Sequence, residues 1–203
     1  MHDYNITEKG ALLTEAEHSI ILLHGRGASA EDILPLAKEF SIKNCYLAAP
    51  QATHSTWYPT SFMAEEEANE PWLSSAVDVV KRLIDETAEH IPLNKIYIMG
   101  FSQGACLTLE VAARYAAEYA GIAAFTGGLI GNELKTERYN GNFNGSKVFI
   151  GSGDKDPHVP LSRIKESKEI LEKMGAAVQM EIYPDRAHTI TLDEINKVNQ
   201  LLF

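Results

Sequence analysis

Short, continuously apolar runs alternate with helix-length amphipathic stretches along this chain, and one junction between them reads Gly100-Phe101-Ser102-Gln103-Gly104. Strand signals fall at residues 19–23, 45–49, 95–99, 122–125, 147–151 and Ala177–Tyr183. Helical patterns fall at 33–40, 72–89, 103 to about 119, 161–174 and 191–202. In the longest of these, Leu73, Ala76, Val77, Val80, Leu83 and Ile84 recur on one face. Within 33–40, Leu34, Leu36 and Ala37 point inward; in the last helix, Leu192, Ile195, Val198 and Leu202 do so, and Thr191 with Glu194 has capping-box spacing. Strands that are apolar throughout belong to a mostly parallel sheet with helices on both faces. The expected class is therefore α/β, in a single domain spanning residues 1–203. In such sheets ligands bind beyond the carboxyl ends of the strands, so chemistry is sought in the turns that follow them.

The turn after 95–99 is the most informative. A Gly-x-Ser-x-Gly turn between strand and helix is the pattern of a nucleophile elbow, which forces its serine into a sharp, strained bend and leaves the hydroxyl exposed. The flanking Gly100 and Gly104 suit the crowding of such a bend. The helix beginning at Gln103 points unpaired N–H groups at the hydroxyl. The plain alternative is a tight glycine turn with an N-cap serine. A serine nucleophile needs a base, and the base needs a group to fix its tautomer. In an α/β-hydrolase the acid and then the histidine follow the serine along the chain. The turn after 147–151 offers Asp154 and Asp156, and Pro157 restricts Asp156 to an extended conformation. Asp154 is the runner-up, and an aspartate in a turn is commonly just a backbone hydrogen bonder. The turn after the last strand offers His188, just ahead of the last helix. His2, His18, His54 and His90 read as solvated bystanders, and His158 lies in the wrong loop to be the base.

Acyl transfer also needs N–H donors aimed at the developing oxyanion. Gln103, next after the nucleophile, is one source. The loop His24-Gly25-Arg26-Gly27, after the first strand, is the other, with the Arg26 N–H as the expected donor. Residues 51–71 form a long irregular segment carrying Trp57, Tyr58, Phe62 and Met63. Loops of that length inside a domain are commonly functional, and these side chains are apolar enough to meet an acyl group, although packing on the core explains them equally well. The run Glu65-Glu66-Glu67 reads as a solvated loop tip.

Composition narrows the partners. A net charge of −10 lacks the footprint of a nucleic-acid binder and disfavours an anionic membrane surface. No apolar run is long enough to span a bilayer, and the N-terminus lacks the pattern of a signal peptide. Cys45 and Cys106 are too few for a disulfide framework or a thiolate metal site, which suggests a reducing compartment, the cytoplasm. Cys106 is expected buried on its helix, without chemistry. No metal-ligand spacing and no phosphate-binding glycine loop is present, so no metal and no cofactor is expected. The expected partner is a small-molecule ester or thioester; oligomeric state is open, a homodimer included.

Together, Leu23-His24-Gly25-Arg26-Gly27, Gly100-Phe101-Ser102-Gln103-Gly104, the stretch Gly153-Asp154-Lys155-Asp156-Pro157-His158-Val159-Pro160 and His188 resemble the phospholipase/carboxylesterase family of α/β-hydrolases, which includes the acyl-protein thioesterases. The resemblance implies an α/β-hydrolase fold without a large cap domain. It implies a Ser-His-Asp hydrolase of carboxylic esters or thioesters, with Ser102, His188 and Asp156 as the triad and Arg26 and Gln103 as oxyanion donors. It also carries departures. The family often has a small apolar residue where Arg26 stands, Asp where Ala28 stands and His where Ser152 stands; Arg26 thus adds a cation beside the oxyanion loop. Other acyl substrates within reach are lysophospholipids and cyclic lactones. A non-catalytic binding module on the same fold is the rival of another class.

Overall fold

The computed structural model describes residues 1–203. The apolar runs pair into one seven-stranded sheet in the order β1-β3-β2-β4-β5-β6-β7. The strands are β1 (Ile6–Gly10), β2 (His18–Leu23), β3 (Cys45–Pro50), β4 (Ile96–Phe101), β5 (Gly121–Phe125), β6 (Lys147–Gly153) and β7 (Ala177–Tyr183). All neighbours are parallel except β1, which runs antiparallel to β3 at the edge. The pleat sorts side chains into two cores. Ile21, Leu23, Ile96 and Ile98 face one, and Ile20, Leu22, Tyr97 and Met99 face the other. Helices α2 (Trp72–Ala88), α3 (Gln103–Arg114) and α4 (Leu161–Lys173) cover the first face. Helix α1 (Ala30–Ile33), the 3-10 segment Leu34–Glu39 and α5 (Leu192–Leu202) cover the second. This is the α/β-hydrolase architecture expected from the strand–helix alternation and the elbow motif. No helix is long and apolar enough to cross a membrane.

The departures from the sequence reading have local causes. β1, Ile-Thr-Glu-Lys-Gly, has no apolar run, because an edge strand with exposed side chains needs none. The helix expected at 33–40 is instead a four-residue α-turn, capped by Ser29 and Asp32, followed by a 3-10 segment. Pro35 supplies no N–H to continue an α-helical ladder there. α3 stops at Arg114 rather than near Tyr119, because the Ala116 N–H donates to Asn140 O and pairs with the 141 region. The capping box of Thr191 and Glu194 is present. It sets the rotation of α5 so that Glu194 is fully buried and Leu192, expected inward, is 65% exposed.

Buried Glu194 pairs with Arg186, whose side chain is 6% exposed and also donates to Thr126 Oγ1 at 2.8 Å. Removing one partner of a buried pair strands the other charge in a poorly solvated site. Glu194→Ala is expected to lower unfolding free energy by about 3 kcal/mol, and the double variant Glu194→Leu/Arg186→Met to recover much of that loss. Urea denaturation of the two variants checks this. Equal losses in both would show that the pair's charge is not what matters.

Candidate active site

The elbow follows from backbone crowding. Ser102 joins β4 to α3 at φ 54° and ψ −117°, a sparsely populated conformation for a residue with a Cβ. Such a conformation costs about 1–3 kcal/mol and persists only where its surroundings impose it. Those surroundings are tight. A Cβ on Gly104 would lie 2.1 Å from Leu23 O, and one on Gly100 would lie 2.4 Å from Gly104 O. The Ser102 N–H donates to Phe125 O at 3.0 Å, tying the bend to β5.

The loops after β6 and β7 bring the partners to this hydroxyl. His188 Nε2 lies 2.8 Å from Ser102 Oγ, and His188 Nδ1 lies 2.6 Å from Asp156 Oδ2. An ionised carboxylate only accepts hydrogen bonds, so Nδ1 carries the proton and Nε2 is left to accept from the serine. The other Asp156 oxygen accepts from His158 N at 2.8 Å and Val159 N at 3.0 Å. Burial pushes the Asp156 carboxyl up, but the bonds from His188, His158 N–H and Val159 N–H outweigh it and hold the group below the usual carboxylate range. Asp154, the other carboxylate of that loop, instead accepts from Asp185 N at 2.9 Å and joins the two loops. The ring of His188 rests between Phe101, 5.2 Å away, and His158, 5.0 Å away and edge-on. Arg186, two residues before His188, anchors the last loop through Thr126 and Glu194.

The Arg26 and Gln103 backbone N–H groups donate to no backbone acceptor. The loop that carries Arg26 is held by buried polar contacts with no signature in the sequence. Gly27 N–H donates to Ser55 O at 2.7 Å. His24 is fully buried; its Nδ1 meets Gly25 O at 2.8 Å and its Nε2 accepts from Ala52 N at 3.1 Å. Burial drives the His24 pKa down against the opposing pull of the Gly25 carbonyl. The Gln103 side chain is a second clasp, its Oε1 accepting from Trp57 N at 2.9 Å and its Nε2 donating to Tyr58 O at 2.8 Å.

A cleft of about 550 Å³ opens over Ser102 and His188, walled by Tyr58, Phe62, Cys106 and Val159 with Arg26 and His158 among its polar residues. Tyr58 and Phe62 thus line the cleft that holds Ser102. Trp57 does not line this cleft: it is fully buried, with its indole N–H on His24 O at 2.8 Å, so it serves packing. Met63 is likewise absent from the cleft wall and packs on the core. Cys106 is buried as expected, yet it reaches the cleft; burial pushes its thiol up to about 12. Of the acidic run, Glu65 and Glu67 are exposed, whereas Glu66 is pinned by Arg138 at 3.0 Å and Lys135 at 3.3 Å. The run is therefore not a solvated tip throughout. No three His, Cys, Asp or Glu side chains gather as a metal-ligand group.

A family model described as Phospholipase/Carboxylesterase matches residues 11–202. Acyl-protein thioesterase 1 of Debaryomyces hansenii is 28% identical, over 89% of this chain and 88% of its own. A probable carboxylesterase of Oryza sativa subsp. japonica is 27% identical, over 87% of this chain and 73% of its own. Among solved structures, a phospholipase/carboxylesterase from Dyadobacter fermentans is 49% identical, with a TM-score of 0.96 over 98% of this chain and 96% of its own. A carboxylesterase of Bacillus cereus, 22% identical, shares the fold at a TM-score of 0.76 over 96% of this chain and 91% of its own.

The neutral, buried His24 has a pH signature. Its pKa is lowered on folding from 6.5, so the unfolded chain binds the proton more tightly. Its contribution is complete above about 6.5 and drains away as pH falls toward the depressed folded value. The stability gap between wild type and His24→Gln is expected to narrow between pH 7.5 and pH 5, read from urea midpoints. A gap that stays constant or widens would contradict a neutral His24.

Proposed function

Because the chain belongs to the phospholipase/carboxylesterase family, we propose that it is a serine hydrolase of carboxylic esters or thioesters, working through an acyl-enzyme on Ser102. The observation that carries the reading is the unbroken chain from Ser102 Oγ to His188 at 2.8 Å and from His188 to Asp156 at 2.6 Å, at the mouth of a cleft. The relatives named for carboxylesterase and thioesterase activity support both leaving-group types.

Each step follows from that arrangement. Ser102 Oγ bonds to the acyl carbon as its proton passes to His188 Nε2. Asp156 holds the imidazole by its Nδ1–H and stabilises the imidazolium that forms. The carbonyl oxygen, now an oxyanion, accepts from the Arg26 and Gln103 N–H groups; because α3 starts at Gln103, the positive end of its dipole adds to the field. The carbon–oxygen or carbon–sulfur bond to the leaving group then breaks, and His188 gives its proton to the departing alkoxide or thiolate. Water enters, loses a proton to His188 and attacks the acyl-enzyme. Collapse of the second tetrahedral intermediate returns the proton to Ser102 and releases the acid. Asp156 can act as a fixed anion throughout, since its three hydrogen bonds keep it ionised.

Ser102→Ala is expected to lower kcat on a p-nitrophenyl ester by about 10⁴-fold or more, since triad members act as a unit. A fluorophosphonate should label wild type and leave the variant untouched, because only an activated serine reacts. Comparable turnover by the two proteins would overturn the reading.

A further inference from the structure

The distribution of charge around the cleft carries information about the substrate, and the deduction rests on the hydrolase reading above. Arg82, Arg114, Arg138, Arg163 and Arg186 each sit within ion-pairing distance of a glutamate. Arg26 is the remaining arginine of the chain, and none of the ion pairs includes it. Its guanidinium is nevertheless held in place. Nη1 donates to Pro59 O at 3.0 Å, and Nη2 donates to Tyr58 O at 2.9 Å and to Thr60 O at 2.6 Å. Its centre lies 6.0 Å from the middle of the Tyr58 ring. Carbonyl dipoles orient a cation without cancelling its charge. Of the five N–H donors of a guanidinium, these contacts leave Nε–H and one Nη1 hydrogen available.

The surroundings are equally one-sided. The chain has 28 acidic residues, yet no Asp or Glu lines the cleft that holds Ser102, His188 and Arg26. The nearby carboxylate of Asp156 is fully buried behind His188, and both its oxygens are engaged. An acidic protein thus presents one exposed arginine, held by three carbonyls and paired with no carboxylate, on the wall of the cleft that holds Ser102. The net charge of −10 repels anions from afar, but screening at physiological salt limits that repulsion to about 8 Å, so groups within the cleft matter more to a bound anion than the distant charges do.

We propose that the cleft takes a carboxylate-bearing ester or thioester, whose carboxylate pairs with the Arg26 guanidinium while Ser102 attacks the acyl carbon. A single full cation whose two remaining N–H hydrogens lie on different edges of the guanidinium suits one monoanionic carboxylate, held through one of them, better than a doubly charged phosphate group. The Arg26 side chain is then a specificity determinant, distinct from the role of its backbone N–H. Because Tyr58, Pro59 and Thr60 already immobilise it, binding costs little further side-chain entropy. The carboxylate can ride on the acyl group or on the leaving group, and matched substrates separate the two.

The experiment measures kcat/KM on two pairs of esters. Mono-p-nitrophenyl adipate against p-nitrophenyl hexanoate places the charge on the acyl side, and 4-(butyryloxy)benzoate against phenyl butyrate places it on the leaving group. In at least one pair wild type should favour the anionic member by about tenfold or more, mainly through KM. That ratio should fall at least tenfold in Arg26→Met, survive in part in Arg26→Lys, and shrink as salt is raised. The ratio isolates the side chain, because damage to the oxyanion loop would slow both members of a pair alike. If wild type favours neither anionic ester, or if Arg26→Met leaves the ratio unchanged, the assignment is overturned while hydrolysis of the neutral esters leaves the hydrolase reading intact. Failure of wild type on all four esters, together with no fluorophosphonate labelling, would overturn both.

Discussion

The packing of Gly104 against the end of β2 is the constraint from which the rest of the site follows. With Leu23 O only 2.1 Å from where a Cβ would stand, β2 and the start of α3 are as close as two backbones can come. That approach turns the chain sharply after β4 and drives Ser102 to positive φ. It also sets the carboxyl end of β2, and so the loop carrying Arg26, beside the first turn of α3. The proposed nucleophile and the proposed oxyanion donors are thus placed by one contact. The strain of the elbow is offset by the ladder bonds of β4 to both neighbours, by the Ser102 N–H bond to β5 and by a helix packed on the sheet.

Around this point, the irregular segment after β3 is stiffened by side chains that satisfy its backbone. A loop of such length cannot pair its own N–H and C=O groups as a strand does. Gln103 serves Trp57 and Tyr58, Arg26 serves Tyr58 to Thr60, and buried Asn69 accepts from Thr60 N and donates to Ser61 O. Gln103 therefore acts twice, its backbone pointing at the proposed oxyanion site and its amide holding the wall of the cleft. A wall held in this way loses little conformational freedom on meeting a ligand.

Charge is divided between structure and site. Two glutamates are fully buried: Glu110, met by Arg114, Arg138, Tyr139 and the Ile130 N–H, and Glu194, met by Arg186. Both lie on helices and tie a helix to a neighbouring loop. Such pairs add little net stability, because desolvation offsets attraction, but they penalise any packing that leaves one partner alone. Asp156 is buried behind His188 and no other carboxylate reaches the cleft, so Arg26 is the only Lys, Arg, Asp or Glu among its lining side chains.

The sequence alone determined the features governed by local periodicity and local sterics. The parallel strands, the pleat-sorted apolar residues, the capping box at Thr191 and the elbow at Ser102 are all legible there, because each depends on residues a few positions apart. His188 was reachable through its place between the last strand and the last helix, and the choice of Asp156 over Asp154 came from a family resemblance. Only the tertiary structure decided which side chains meet across the fold. Asp156 and Asp154 lie two residues apart with the same chemistry, and the direction of one loop sends the first to His188 and the second to Asp185 N. Trp57 and Tyr58 are adjacent buried aromatic residues, yet only Tyr58 borders the cleft, while Trp57 turns its indole N–H to His24 O. The side-chain clasp of Gln103, the buried bonds of His24 and Glu110 and the pairing of Glu194 with Arg186 are hidden for the same reason: a buried polar group is defined by its partners, and those partners come from distant parts of the chain.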